Sequence, residues 1–489
     1  MKKYLLLTLA LLMMAACSKK NEIIISGTIK NAPPLERIEL INTASPISLP
    51  IANIGTNAQG QFSDTISIDQ DGLYAITYGR NMNFIYLKKG ENLNITAEGM
   101  SFPKTMKVTG GDAQKNQDFL NALQEFAENY MSKLNAGIIS KEEKPFLEEI
   151  KKMQSDFEKK IDELSSKFHP DKALVDLKKD ETNVNFLMIM AQYEAMHGQA
   201  VGNPNFKTSP AFAKHQEALI GNEEQWVKTL PTFRSYLLMK YQKDFGAFAE
   251  KLKDQDLSIT EMFAQFLSQQ KNIKQEVKDQ LLTFVATQYD MAPNQPRSKQ
   301  VFATLNKEIK DEQIKQELKK VELAMQGLPE GTNAPDADLI NAEGKKFSFS
   351  STKNIPQLVV FYASWSPYIS ETLHMLVPEL QKTYGDQLGI TLINMDDTEV
   401  QFKKTSTALL KDLPKVTSLY AKGGLKSKTA SVYGIYGFKL PSMVVLNKDH
   451  KIASPSITNP NDPKLIETLN QLTGITPAAP EKQTNAAKK

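Results

Sequence analysis

The sequence has one cysteine, Cys17. Thiol–disulfide exchange needs a thiolate attacking a second sulfur, so a chain without that second sulfur cannot run it alone. Histidine is also scarce: His169, His197, His215, His374 and His450 show no His-x-x-x-His or Cys-His spacing, and no metal site is expected. Charge of one sign is missing as well. Lysine and arginine number 59 against 56 aspartates and glutamates, and no basic stripe is interleaved with aromatics, so a nucleic-acid partner is not expected. Beyond residue 14 no apolar run reaches the roughly 20 residues that would span a bilayer. The stretch Lys422-Gly423-Gly424-Leu425-Lys426-Ser427 lacks the Gly-x-x-x-x-Gly-Lys-Ser/Thr spacing of a phosphate loop and reads as a loop before a helical turn at Ala430. No cofactor is called for. What remains is ordinary globular composition on a chain too long for one core, so two or three domains are expected.

The first residues decide the compartment. Met1-Lys2-Lys3 is a basic start, Tyr4 to Met14 an apolar run, and Ala15-Ala16-Cys17 a small-residue cleavage region, which is the layout of an export signal. Met14-Ala15-Ala16-Cys17 resembles the lipobox of bacterial lipoproteins. That resemblance implies that residues 1–16 are a signal peptide and that Cys17 carries diacylglycerol at the new N-terminus. Residues 17–21 are then a lipidated tether, and the membrane is a partner through the anchor. In the Gram-negative sorting pattern Ser18, rather than Asp, after the cysteine implies the outer membrane. Lys19-Lys20 lacks the acidic residues that mark surface display in relatives, so the periplasmic face is expected.

Along the rest of the chain the hydrophobic period changes twice. Residues 22–110 hold short β-rich runs at Ile23–Ile25, Ile38–Ile41, Phe62–Ile68, Leu73–Tyr78, Phe84–Leu87 and Leu93–Thr96. Turn signals such as Asn31-Ala32-Pro33-Pro34 and Ala58-Gln59-Gly60 separate them, which predicts an all-β sandwich. Residues 111–326 carry apolar residues at spacings of three and four, most clearly Phe146, Ile150, Met153, Phe157, Ile161, Leu164 and Phe168. The spacing predicts an all-α region, with further helices near 183–197, 210–219, 233–252, 259–269, 274–288 and 298–325. Gly327 to Gly331 opens the next domain as a linker, residues 327–475 alternate strands with helices, and 476–489 form a Pro, Ala, Lys and Gln tail that is expected to be disordered.

The order of the early elements resembles an N-terminal domain of unknown function found in lipoproteins that end in a thioredoxin-like domain. The C-terminal motifs point the same way. Gly331-Thr332-Asn333-Ala334-Pro335-Asp336 resembles a Gly-x-x-Ala-Pro-Asp opening. Phe361-Tyr362-Ala363-Ser364-Trp365 matches a strand leading into an active site, Asn394-Met395-Asp396 the end of the next strand, and Tyr433 to Pro441 a segment bearing a cis-proline. Together these resemble the thioredoxin-like family of exported thiol-disulfide proteins and imply an α/β thioredoxin-like domain. After its tryptophan the family places Cys-x-x-Cys; this chain has Ser366-Pro367-Tyr368-Ile369, so redox catalysis is not expected. The family's glutamate is displaced as well, with Thr372 in its place and Glu371 one residue early.

The resemblance leaves a binding surface. In this family the residue before the cis-proline pairs its backbone with an extended peptide, which makes Leu440 and Pro441 candidates alongside Trp365, Ser366, Pro367 and Tyr368. The last four lie at the start of a helix expected over Glu371–Tyr384, where free N–H groups favour an anion or carbonyl. Three readings stay open: a peptide or protein docking groove, a vestigial site whose Trp365 and Pro441 only build the fold, and a transferase in which Ser366 holds a thiolate.

Overall fold

A computed structural model describes residues 21–475 apart from 33–34, 134–135, 293–295, 353, 412 and 414. The expected signal segment, Cys17, the expected tail and Pro33-Pro34 of the first expected turn lie outside the described residues. The protein is multidomain, with N-terminal strands in sheets, a central helical region and a C-terminal sheet domain. It divides into two compact units, one ending at Leu318 and the other beginning at Lys319.

In the first unit, β1 (Glu22–Lys30), β4 (Gln61–Ser67), β7 (Asn92–Glu98) and β8 (Lys107–Thr109) form a sheet ordered β4-β1-β7-β8. A second sheet, β3-β2-β5-β6, contains β2 (Arg37–Asn42), β3 (Pro50–Gly55), β5 (Gly72–Tyr78) and β6 (Asn81–Leu87). Alternation places Ile23, Ile25 and Ile29 of β1 inward, and they share one core with Leu40, Ile54, Phe62, Ile76, Ile85 and Ile95 from both sheets. Gly27 faces the same way because β1 and β7 lie so close that a Cβ there would sit 1.9 Å from the Ile95 carbonyl oxygen. The sequence reading does not include β3 or β8. Pro50 and Gly55 bound β3 and read as turn residues, yet β3 is an edge strand, where a missing N–H is tolerated.

The helical region runs through α1 (Gly111–Lys133), α2 (Glu143–Phe168), α3 (Lys172–Ala200), α4 (Pro210–Ala218), α5 (Glu223–Thr229), α6 (Pro231–Ala249), α7 (Ile259–Gln269), α8 (Gln275–Tyr289), α9 (Ser298–Glu308) and α10 (Glu312–Gln326). The expected stripe on α2 buries Phe146, Ile150, Met153, Ile161 and Leu164, and His169 ends the helix in a left-handed conformation before Pro170. His197 is a core residue: its Nδ1 lies 2.9 Å from the Ile139 carbonyl and its ring stacks on Tyr193. The segment expected as one helix over 298–325 is two. Asp279 Oδ2 accepts the N–H groups of Lys310 (2.9 Å) and Asp311 (2.8 Å), and Asp311 Oδ1 then accepts those of Gln313 and Ile314, which starts α10 afresh.

Arg234 of α6 joins the β-rich and helical parts of this unit. Its guanidinium is buried and donates to the carbonyls of Val227 (2.8 Å) and Lys228 at the end of α5, and to Ala44 (3.0 Å) and Ser45 in the β2–β3 loop. Burial lowers its pKa to about 10, still far above neutrality, so the cation persists among carbonyl dipoles. Arg234→Ala leaves these acceptors unpaired beside a cavity. It is expected to destabilise the first unit by about 3 kcal/mol, as measured by urea unfolding followed through Trp226 in a Trp365→Phe background.

The second unit is built on a six-stranded sheet ordered β14-β13-β10-β11-β12-β9. Its strands are β9 (Leu339–Ile340), β10 (Gln357–Tyr362), β11 (Gly389–Asn394), β12 (Val416–Ala421), β13 (Ser442–Leu446) and β14 (Ile452–Ile457). The strands β10, β11 and β12 run parallel, and β13 is antiparallel to β10. Alternate residues of β10 enter two cores. Val359 and Phe361 join Ala430 and Tyr433 of α14 (Lys428–Tyr433) on one face. Leu358 and Val360 join Leu380 of α12 (Val377–Tyr384) and Leu465 of α15 (Pro463–Thr473) on the other. A strand covered on both faces has no polar side, which is why Gln357–Tyr362 reads as an almost unbroken apolar run. The segment 327–331, expected as a linker, is fastened to this unit: Leu328 packs on the first core and the Gly331 N–H donates to the Ile452 carbonyl at 2.8 Å.

Candidate functional site

In a sheet with parallel strands, ligand sites form where the loops leave the carboxyl ends. Here β10, β11 and β12 deliver loops beginning at Ala363, Met395 and Lys422 to one edge. The β10–β13 register, with Phe361 opposite Ser442, brings the segment preceding β13 to the same edge. Ala363, Trp365 and Leu440 accordingly share one apolar cluster.

A buried carboxylate holds these loops together. Asp396 Oδ1 accepts the Ser364 N–H (2.7 Å) and hydroxyl (2.9 Å), and Oδ2 accepts the Asn394 amide (3.0 Å) and the Thr405 hydroxyl (2.8 Å). Thr405 belongs to α13 (Glu399–Leu409), so the one side chain ties together β10, β11 and a flanking helix. Gly424 completes the packing. Its φ is +59°, and a Cβ would sit 2.6 Å from the Asp396 carbonyl oxygen, so the Gly-Gly pair read as a loop serves close backbone approach rather than phosphate binding.

The expected site residues divide by exposure. Ser366 is buried, and its hydroxyl donates to the Ala363 carbonyl at 2.9 Å, while Trp365 is half-buried against the core. Pro367 and Tyr368 face solvent, Tyr368 at 70% exposure. Tyr368 also holds φ at +59°, a left-handed conformation that costs a side-chain-bearing residue of order 1–3 kcal/mol. The helix after it starts earlier than expected and is not uniform: a turn α11 (Ile369–Glu371), a π turn over Thr372–Leu376, then α12. Pro378 has no N–H for the His374 carbonyl; one turn widens, and the Val377 N–H reaches back five residues to Thr372. Thr372, in the place of the family's glutamate, is buried.

The Leu440–Pro441 peptide bond is cis, as the resemblance implies. Leu440 itself is a core residue, and its N–H donates to the Gly437 carbonyl at 3.2 Å, so strand addition there has only its carbonyl to offer. The exposed apolar group of this segment is Phe438, 62% exposed and stacked on Tyr436 with ring centroids 5.6 Å apart. Lys439 is 7% exposed, and burial pulls its amine down to about 8. The sequence reading does not single out Asp396, Phe438 or Lys439. The lone charge of Lys439 in the run from Gly437 to Leu446 was the available signal.

This arrangement of sheet, helix start and cis-proline segment is that of a thioredoxin-like domain. Residues 331–454 match the AhpC/TSA family, a quarter of the chain. A curated relative, the thioredoxin-like protein YneN of Bacillus subtilis (strain 168), is 31% identical over 78 residues, which are 16% of this chain and 45% of that protein; the chain thus spans about half the length of the curated relative it matches. Among solved structures, a thiol-disulfide oxidoreductase from Bacteroides fragilis NCTC 9343 is 28% identical, over 28% of this chain and 98% of that one, with a TM-score of 0.24. A conserved protein of unknown function from Bacteroides fragilis is 15% identical, over 29% and 99%, with a TM-score of 0.25.

Three measurements check this site. Asp396→Asn turns an NH2 toward two donors and is expected to lower the stability of the second unit by about 3 kcal/mol, read through Trp365 fluorescence in a Trp226→Phe background. Tyr368→Gly relieves the left-handed strain and is expected to raise it by about 1 kcal/mol. Lys439 gives a pH signature. Its folded pKa lies below the unfolded value near 10.5, so between about 8 and 10.5 the unfolded chain holds more protons and stability rises with pH. Relative to Lys439→Met, the wild type is expected to gain up to about 3 kcal/mol from pH 7 to 10.5.

Proposed function

We propose that this protein is an envelope lipoprotein, anchored through Cys17 at the periplasmic face of the outer membrane, whose thioredoxin-like domain docks an extended peptide or protein segment without thiol chemistry. One observation carries the docking reading: the exposed Tyr368 is held in a strained left-handed conformation in a loop at the sheet edge that also receives the cis-proline segment. Packing of the ring does not repay that strain, so the strain fits a surface kept for contact. Ser366, Pro367, Tyr368 and Ile369 supply no sulfur. The transferase reading is disfavoured by Ser366, whose hydroxyl is buried and engaged with the Ala363 carbonyl instead of a base.

The test uses the full chain and a panel of amidated, fluorescently labelled decapeptides. Tyr368→Asp and Phe438→Asp, both at exposed positions, are expected to weaken binding about tenfold without lowering the melting temperature, which corresponds to ~1.4 kcal/mol. Insulin reduction is expected to stay at the uncatalysed rate. Unchanged binding in both variants would move the docking surface elsewhere, and catalysed insulin reduction would end the non-redox reading. For the anchor, incorporation of an alkyne palmitate analogue is expected in the wild type and absent in Cys17→Ser.

A further inference from the structure

Lys439 is a buried cation whose surroundings do not account for it. An ammonium has three N–H donors. Among the described residues its one acceptor is the Gly434 carbonyl, at a long 3.3 Å, and no carboxylate forms an ion pair with it. Buried charges are ordinarily paired, because an uncompensated one loses its hydration for nothing in return. Burial alone lowers the basicity of this amine, with no acidic neighbour to raise it. A merely structural task, donating to the carbonyl of Gly434, the residue that caps α14, would be met by a neutral amide at no such cost.

The position of Lys439 suggests what completes it. It stands two residues before the cis Pro441 and directly after the exposed Phe438, at the sheet edge where Trp365 and Tyr368 emerge. We propose that Lys439 is the counter-charge for a carboxylate of the docked peptide, with Phe438 and Tyr368 taking apolar side chains beside it. This rests on the docking reading above and narrows it to an acidic ligand. Ion pairing away from water is stronger than at the surface, so the carboxylate contributes discrimination as well as affinity. The carboxylate has two possible sources, the C-terminus of a chain or an aspartate or glutamate side chain.

The test is calorimetry on the full chain in detergent with three acetylated pentapeptides of alanine and leucine. One ends in a free carboxylate, one in an amide, and one in an amide with glutamate at the centre. At least one carboxylate peptide is expected to bind tenfold or more tightly than the neutral amide, and which one does identifies the source. Lys439→Met is expected to erase that preference, keep the affinity for the neutral amide, and melt no lower than the wild type at pH 7. Lys439→Gln, which retains a donor for Gly434, is expected to behave the same way and guards against a packing defect in the methionine variant. Equal affinities for all three peptides, or a preference that survives both substitutions, overturns the role of Lys439 while the docking reading stands. Failure of all three to bind, with Tyr368→Asp without effect on the decapeptides, overturns both.

Discussion

The carboxylate of Asp396 is the constraint on which the candidate edge of the C-terminal domain depends. A buried carboxylate is stable only when donors replace its lost water, and here four do so, none of them cationic. Two donors come from Ser364, so the loop leaving β10 is fixed at its first turn. A third comes from Asn394 on the neighbouring strand, and the fourth from Thr405 on the helix that follows. The positions of Trp365 and Tyr368 are inherited from that hub. In this chain, which has Ser366-Pro367-Tyr368-Ile369 after the tryptophan, a polar network holds the loop in place.

Much of the fold was legible because it follows from periodicity. The strand at 357–362 is apolar throughout because both faces are covered, and the stripe from Phe146 to Leu164 is buried because a 3.6-residue period lines one face. What was not legible was decided by partners distant in sequence. The break between α9 and α10 is held by Asp279, some thirty residues upstream, together with the local cap Asp311, whose signal the continuous apolar spacing masks. The fastening of residues 327–331 depends on β14, more than a hundred residues downstream.

The site shows the same division. Composition says only that residues 366–369 carry no sulfur, which holds in any conformation. Its geometry was only partly readable. The cis Leu440–Pro441 bond and the exposed Tyr368 agree with the resemblance, whereas Ser366 and Leu440 prove to be interior. Burial of those two follows from packing: Ser366 turns back to the Ala363 carbonyl within a tight loop, and Leu440 fills the cluster that holds Trp365. No local pattern encodes either contact.

The C-terminal domain also carries a concavity away from the candidate edge, and the contrast between the two rests on energetics. A groove of about 500 Å3 lies at the opposite end of the sheet, lined by Asn354, Pro356, Asp386, Gln387, Lys448 and Asp449 among others. Its charged side chains are all exposed, so solvent satisfies them and nothing is held at a cost. The edge around Pro441 carries a strained exposed tyrosine and a buried lysine with one long hydrogen bond, on loops tied by a buried carboxylate with four donors. Folding selects against the strained tyrosine and the sparsely paired lysine individually, and local rules are broken mainly at functional or strained sites. Their coincidence within the loops at one end of one sheet is therefore a stronger pointer to a candidate site than the groove is.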